Sequence, residues 1–239
     1  MNSIIVALDV ENRSTADRLL EQLSLASDQP TVKIGMELFY REGVAIVRHI
    51  QSRGFKIFLD LKLHDIPNTV ERAAFQLGQL GIQMTTVHAL GGAKMMAAAK
   101  RGLSEGAQQA HMEPPKLLAV TELTSISDIM LHHEQHVTLP MTQQVRELAL
   151  LAEKAGADGV ICSPREVTDL RQFVDPNFLL VTPGIRLTTS HVDDQQRIMT
   201  PAQAANAGSS AIVVGRPITQ SENPAQTYTQ ILKEWQIHD

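Results

Sequence analysis

The sequence contains a single cysteine, Cys162, among 239 residues. One cysteine cannot form an intrachain disulfide, so a reducing compartment is expected. No apolar run reaches the roughly 18 residues that a membrane-spanning helix needs. The N-terminal residues also lack the basic region and the small-residue cleavage site of a signal peptide. We therefore expect a cytoplasmic protein with no membrane partner.

Positive charge is also scarce, with 21 Lys and Arg against 26 Asp and Glu and a formal net charge of −5. Proteins that bind nucleic acids usually carry a basic stripe, so no nucleic-acid partner is expected. The glycine-rich G-x-G-x-x-G turn of dinucleotide-binding folds is absent, because the run 8–12 at the end of the first predicted strand contains no glycine. An open dinucleotide-binding sheet is therefore disfavoured.

The chain does contain a regular alternation of short apolar runs and segments with helical spacing. Eight strands are predicted at 4–10, 31–37, 56–63, 84–90, 116–124, 159–163, 179–185 and 211–215. Alternating strands and helices imply parallel pairing through right-handed crossovers. Eight such units predict an α/β fold, a (β/α)8 TIM barrel, and the absence of any linker predicts one domain over residues 1–239.

Helix ends follow from local signals. Ser14 is a suitable N-cap for the first helix, and Pro67 suits the first turn of another. Gly156 and Gly208 lie where helices are expected to end.

The third predicted strand carries charges where a strand covered on both faces should be apolar. Alternation places Leu59, Leu61 and Leu63 on one face, and Asp60, Lys62 and His64 on the other. Burying a carboxylate and an ammonium costs several kcal/mol per ion unless they are well paired. Asp60 and Lys62 could form a structural salt bridge, but charges crowded at one cavity are typical of a reactive site.

Further polar residues lie at the carboxyl ends of the other strands, which is where TIM barrels place their active sites. They are Asp9, Lys33, His88, Thr121 and Thr124. The loops after strands seven and eight, which commonly bind phosphate, contain Pro183 and Arg186 and then Gly215 and Arg216. A phosphorylated ligand is expected from these positions. The long polar segment 186–196 is either a lid over the substrate or a solvated loop.

Other signals favour plain structural interpretations. His132, His133 and His136 have spacing that a metal site could use, but no cysteine or carboxylate completes a ligand set, so solvent exposure and no metal site are predicted. Cys162 is interpreted as a small buried residue on strand six. Asp65 could simply stabilise the N-terminus of the helix that begins at Pro67.

These residues make the chain resemble the orotidine 5′-phosphate decarboxylase family along nearly its whole length. The D-x-K-x-x-D core is shared with a wider group of sugar-phosphate barrels, whereas its extension through Thr69 and the run that ends at Arg186 are more specific. The matching segments are 6–9, 32–39, 58–69, 87–89, 119–125, 181–186 and 213–217.

The resemblance implies decarboxylation of orotidine 5′-monophosphate to UMP, with these residue roles. Lys62 would protonate C6 of the pyrimidine, and Asp60 would lie beside the departing carboxylate. Lys33 and Asp9 would complete an alternating charge array and contact the ribose. Asp65 and Thr69 would reach into the site of the neighbouring subunit of a homodimer. Thr124 would contact the pyrimidine, and Pro183 would be a further substrate contact. The phosphate would be held by Arg186, Gln195, Gly215 and Arg216.

No cofactor is expected, because the sequence shows no motif for pyridoxal phosphate or thiamine diphosphate, the usual acceptors of such charge. Two alternatives remain open at this point. One is a Mg²⁺-dependent lyase or epimerase of sugar phosphates, in which Glu37 and Asp60 could hold the metal. The other is a nucleotide-binding barrel without catalysis.

Overall fold

A computed structural model of the chain describes residues 3–186 and 199–236. The described residues form eight parallel strands that close into a barrel in sequence order, with β8 paired to β1. The strands are β1 (Ser3–Leu8), β2 (Thr31–Ile34), β3 (Ile57–Leu63), β4 (Met84–His88), β5 (Lys116–Val120), β6 (Gly159–Ile161), β7 (Leu179–Thr182) and β8 (Ala211–Val214). The predicted TIM barrel is confirmed.

Helices follow the strands and cover the outside of the barrel. Those in the first half of the chain are α1 (Arg13–Leu23), α2 (Met36–Glu42), α3 (Val44–Ser52), α4 (Pro67–Gly78), a 3₁₀ turn (Ala89–Gly91) and α5 (Gly92–Gln109). Those in the second half are α6 (Asp128–His133), α7 (Met141–Lys154), α8 (Val167–Leu170), α9 (Pro201–Ala207), α10 (Arg216–Thr219) and α11 (Pro224–Gln236). No helix in these two described stretches is long and apolar enough to cross a membrane.

The strand starts agree with the sequence prediction to within one residue, whereas several strand ends were predicted too late. The prediction carried the second strand to Glu37, but β2 ends at Ile34 because Gly35 already caps α2. The prediction carried the fifth strand to Thr124, but β5 ends at Val120. The extra residues belong to the loops at the barrel mouth, so their side chains do not follow strand alternation.

Helix caps show one wrong prediction. Asn12, not Ser14, caps α1, because the Asn12 side chain accepts a hydrogen bond from the Thr15 N–H at 3.0 Å. Pro67 is the first residue of α4, as predicted. Gly208 caps α9 with a left-handed backbone (φ 95°), which a glycine adopts without steric cost.

Two apolar layers hold the barrel together. A small inner cluster fills the barrel axis with Ile5, Ala7, Phe58, Met84, Leu118, Val181, Ala211 and Val213. A larger outer cluster packs the other face of the strands against the helices and includes Leu59 and Leu61 of β3. The inner layer forms a floor, so the polar residues above it share one cavity at the carboxyl ends of the strands.

Candidate active site

Strand β3 presents its two charged residues to the interior through an irregular stretch. Leu59 pairs with Thr85 and Leu63 with Val87, so three residues of β3 lie opposite Thr86 alone. Lys62 has a positive φ of 51°, which is uncommon for a residue with a side chain. Asp60 and Lys62 therefore both line the cavity, as predicted, but by way of a bulge and not of regular alternation.

His64 does not share their position. It is exposed, it is not among the cavity-lining residues, and its ring lies 5.6 Å from the ring of His88, centroid to centroid. The prediction that placed His64 beside Asp60 and Lys62 is wrong, because the bulge ends the alternation at Lys62. Burial, followed by the charges of His64 and Lys62, lowers the pKa of His88, so that ring is neutral at neutral pH.

Four charged side chains from three consecutive strands form an alternating row. Lys62 Nζ lies 2.9 Å from Asp60 Oδ2, and Lys33 Nζ lies 3.6 Å from the same oxygen. Lys33 Nζ also lies 2.9 Å from Asp9 Oδ1. Gly35 packs against this row, since a Cβ there would lie 3.2 Å from Asp9 Oδ1 and 3.4 Å from Lys33 Nζ. The array that the sequence predicted is thus brought together in the fold.

The row runs from solvent into the interior. The Asp9 side chain is 62% exposed, whereas those of Lys33 and Asp60 are 11% and 12% exposed. Burial alone would raise the pKa of Asp60, but the charges of Lys33 and Lys62 and hydrogen bonds from Lys62 and Thr86 outweigh it and hold that pKa below its ordinary value. Asp60 is therefore a carboxylate at neutral pH.

The same cavity is also lined by the cationic groups of the last two strand loops. The cavity measures about 450 Å³ and is lined at these loops by Pro183, Arg186, Gly215 and Arg216. Arg186 is buried and its Nη1 donates a hydrogen bond to the Ile185 carbonyl at 3.0 Å. Thr124 lines the same cavity, whereas the Thr121 hydroxyl donates to the Ile161 carbonyl and lies outside the lining. One cavity thus joins a charge array to two guanidinium groups.

Two predicted site residues, Asp65 and Thr69, are not part of this cavity lining. Both side chains are exposed, and Asp65 Oδ1 accepts the N–H of Ile66 at 2.6 Å. Gln195 lies outside the described residues. Glu37, offered as a metal ligand beside Asp60, is exposed and does not reach the cavity, so the pair needed for the Mg²⁺ alternative is not assembled.

The exposure predicted for the three histidines and the burial predicted for Cys162 are both observed. His132, His133 and His136 are exposed. Within residues 3–186 and 199–236, no group of three or more His, Cys, Asp or Glu side chains is placed to hold a metal ion. Cys162 is buried as predicted, and burial raises its pKa well above the usual value, so it is a neutral thiol. It also lines the cavity, which the sequence interpretation did not foresee.

Sequence reasoning missed two buried polar residues near the site. Glu122 lines the cavity, and its carboxylate accepts hydrogen bonds from the side chains of Gln135 and Gln144 at 3.3 and 3.2 Å. Thr86 bonds to both Asp60 and Lys62. A signal for Glu122 was its place in the run 119–125, which matched the family; nothing in the sequence singled out Thr86.

The fold and this cavity define a class of protein, a TIM-barrel enzyme that combines a buried Asp–Lys array with a cationic wall suited to phosphate. Residues 2–231 match the family model described as Orotidine 5′-phosphate decarboxylase / HUMPS family, and the chain belongs to that family.

Individual relatives are similar along nearly their whole lengths. The chain is 57% identical to the orotidine 5′-phosphate decarboxylase of Lactobacillus gasseri, over 97% of this chain and 98% of that protein. It is 49% identical to the protein of the same name from Enterococcus faecalis, over 97% of each. Its fold matches the crystal structure of orotidine 5′-phosphate decarboxylase from Lactobacillus acidophilus with a TM-score of 0.87 and 50% identity, covering 98% of this chain and 99% of that one.

Proposed function

We propose that this protein is an orotidine 5′-phosphate decarboxylase, which converts orotidine 5′-monophosphate into UMP in pyrimidine biosynthesis. The observation that carries the proposal is the row of Asp9, Lys33, Asp60 and Lys62, which runs from solvent into the interior and lines one cavity together with Arg186 and Arg216. Relatives of that name, at 49% to 57% identity over nearly the whole chain, support it.

Lys62 is assigned the central chemical role. Breaking the bond between C6 and the carboxylate leaves an electron pair on C6, with no adjacent group to delocalise it. An ammonium fixed where this charge develops stabilises it without reorganisation during the reaction. Lys62 then transfers a proton to C6, which completes UMP, and the neutral amine regains a proton from water. Its ion pair with Asp60 at 2.9 Å would hold it for that step.

Asp60 is assigned a supporting electrostatic role. Its low pKa keeps it charged, so the substrate carboxylate beside it is repelled and leaves as neutral carbon dioxide. Two such charges about 4 Å apart, at an effective dielectric constant near 20, interact by about 4 kcal/mol. This energy is too small to account for the whole acceleration, so binding energy from the phosphate must also be used to orient the ring.

The other assignments follow the cavity wall. Arg186, Gly215 and Arg216 would hold the phosphate, together with Gln195 from outside the described residues. Thr124 and Pro183 would contact the pyrimidine end, and Lys33 and Asp9 the ribose hydroxyls. We also propose a cytoplasmic location, which the single, buried Cys162 supports.

A homodimer is the second part of the proposal. Large apolar side chains are exposed after the consecutive strands β2 to β5, on one side of the mouth: Met36, Tyr40, Ile66, Leu90, Leu123 and Ile129. Such a cluster around a cavity is typical of a protein interface. Asp65 and Thr69 lie in the same region, exposed and outside the lining of their own cavity. They are therefore proposed to complete the neighbouring subunit's site.

The substitution Lys62→Ala tests the chemical role. Turnover, followed by the ultraviolet absorbance of orotidylate, should fall at least about 1,000-fold, while UMP binding changes only modestly, because the lost contact belongs to the transition state. Lys116→Ala is the matched control, since Lys116 lies at the opposite end of the barrel. Turnover of Lys62→Ala within about tenfold of wild type would refute the assigned proton donor.

The same assay separates the alternative functions. Loss of wild-type turnover in chelator would favour a metal-dependent lyase, and no orotidylate consumption by the wild-type protein would favour a binding protein without catalysis.

Mixed dimers test the shared site. Subunits with Lys62→Ala and subunits with Asp65→Asn should each be nearly inactive alone. If Asp65 crosses the interface, a hybrid dimer has one intact site, made from the wild-type Lys62 of one subunit and the wild-type Asp65 of the other. Purified heterodimers should therefore regain turnover. Heterodimers that stay as inactive as their parents would contradict a cross-subunit Asp65.

A further inference from the structure

Thr86 lies in the middle of β4, fully buried, directly behind the charge array. Its hydroxyl makes two hydrogen bonds to β3. It accepts the backbone N–H of Lys62 at 2.9 Å and donates its proton to Asp60 Oδ1 at 2.9 Å. The directions follow from chemistry, because an N–H can only donate and a carboxylate can only accept.

The Lys62 bond compensates for the bulge in β3. Between the pairs Leu59–Thr85 and Leu63–Val87 the regular ladder is interrupted, and Lys62 adopts its left-handed backbone there. The Thr86 side chain supplies the acceptor that Lys62 N–H needs in a buried position. A left-handed backbone is strained at a residue with a side chain, so it persists only where the surrounding contacts stabilise it.

The second bond sets the orientation of the carboxylate. Asp60 Oδ1 is held by Thr86, so Oδ2 faces Lys62 Nζ at 2.9 Å and Lys33 Nζ at 3.6 Å. One hydroxyl thus connects the backbone that carries the ammonium with the carboxylate that pairs with it.

We propose that Thr86 is a positioning residue for decarboxylation. It fixes the Lys62 backbone relative to the Asp60 carboxylate, so that the Lys62 ammonium points at the reacting carbon. It does not line the cavity, so it acts through Lys62 and Asp60 and not on the substrate. The inference rests on the roles proposed above for those two residues.

The neighbouring residue provides a matched control. Thr85 is equally buried, and its hydroxyl donates to the Leu59 carbonyl at 2.9 Å, so it also spans β3 and β4. It touches neither Asp60 nor Lys62 in any of its hydrogen bonds within the described chain. Thr85→Val and Thr86→Val remove the same kind of group from the same strand.

The experiment compares kcat, KM and melting temperature for Thr86→Val, Thr86→Ser and Thr85→Val, in full-length protein well below the melting transition. Thr86→Val should lower kcat about 10- to 100-fold, because a misplacement of the reacting group by about 1 Å can cost about 100-fold, and KM should stay nearly unchanged. Thr86→Ser keeps the hydroxyl and should recover most of the loss. Thr85→Val should lose thermal stability but keep kcat.

A pH profile provides the readout that a purely structural role would not change. The charges of Lys33 and Lys62 and the hydrogen bond from Thr86 together offset burial and lower the pKa of Asp60. Two other titratable groups lie near: His88 interacts with Asp60, and Asp9 pairs with Lys33. The acid limb of kcat/KM should therefore move to higher pH in Thr86→Val and stay in place in Thr85→Val. The substrate phosphate titrates identically in both.

Equal kcat and equal acid limbs in Thr86→Val and Thr85→Val would overturn the inference. If Thr86→Val does not fold, the same comparison of kcat and of the acid limb of kcat/KM is made with Thr86→Ala. If Thr86→Val keeps the wild-type kcat while Lys62→Ala is inactive, the positioning role of Thr86 is refuted and the role of Lys62 stands. An active Lys62→Ala refutes the role assigned to Lys62, and with it this inference, whereas only a wild-type protein that consumes no orotidylate refutes the proposed function itself.

Discussion

The barrel carries two aspartates that each lie between two lysines, one at either end. Asp60, at the carboxyl ends of the strands, faces Lys33 and Lys62. Asp158, just before β6 at the amino ends, faces Lys100 and Lys116. Their side chains are similarly buried, 12% and 17% exposed. Each aspartate thus has the same two kinds of partner, so a difference in role must come from what surrounds them, including Asp9, which pairs with Lys33 at the carboxyl end.

The surroundings of the two clusters differ in what they hold fixed. Asp158 Oδ2 accepts the backbone N–H of Leu117 at 2.8 Å, and its lysine partners belong to α5 and to the first residue of β5. This cluster ties a helix and two strands together. Asp60 bonds to the side chain of Thr86, and its lysines line a cavity. In this fold the amino-end face serves stability and the carboxyl-end face serves chemistry.

The largest expected effect is on turnover at the carboxyl end. Asp60→Ala should reduce kcat at least about 100-fold, because it removes both the repulsion of the substrate carboxylate and the partner of Lys62. Steady-state kinetics on orotidylate measures this. A kcat near wild type would mean that the two aspartates are equivalent and that the contrast between the ends is unfounded.

The same change at the other end should affect stability. Asp158→Ala should lower the free energy of unfolding by about 1 to 3 kcal/mol, because it leaves the Leu117 N–H without its acceptor and removes two partly exposed ion pairs. Urea denaturation measures the loss, and kcat of the folded protein should stay close to wild type. A loss of kcat without a loss of stability would reverse the assignment of the two ends.

The smallest effect is expected in the outer helices, where Asp17 of α1 contacts His49 of α3 and Arg53 at 2.6 and 2.9 Å. Burial would raise the pKa of Asp17, but the hydrogen bond and charge of His49 and the charges of Arg53 and Arg13 lower it overall. Asp17→Asn should cost about 1 kcal/mol of unfolding free energy near neutral pH and leave kcat unchanged.

The pH dependence of that loss has a definite sign. A depressed carboxyl pKa stabilises the folded state above the unfolded-state pKa of about 4, and the stabilisation disappears as the pH falls through the folded-state value. The difference between wild type and Asp17→Asn should therefore shrink below about pH 4 in urea denaturation series. A difference that is constant with pH would show that the Asp17 charge contributes nothing.

Much of the site was predictable because it depends on local pattern. The positions of Asp9, Lys33, Asp60, Lys62, Arg186 and Arg216 at strand ends follow from the period of the strands and their parallel order, which bring carboxyl ends to one edge. Strand starts were accurate because apolar runs begin abruptly there. Strand ends were not, because at the mouth the polar residues that belong to loops continue the alternating pattern for several residues.

The sequence by itself determined the barrel, the charged residues that crowd its mouth and the cationic loops that line the same cavity, because each depends on patterns within a few residues of the chain. Only the tertiary structure decided that β3 bulges at Lys62, that Thr86 bridges Lys62 and Asp60, and that Asp65 and Thr69 lie outside their own cavity. The bulge and the bridge depend on hydrogen bonds between residues 24 to 26 positions apart. Such contacts form only when the barrel closes, since neither partner's neighbours in sequence specify the other.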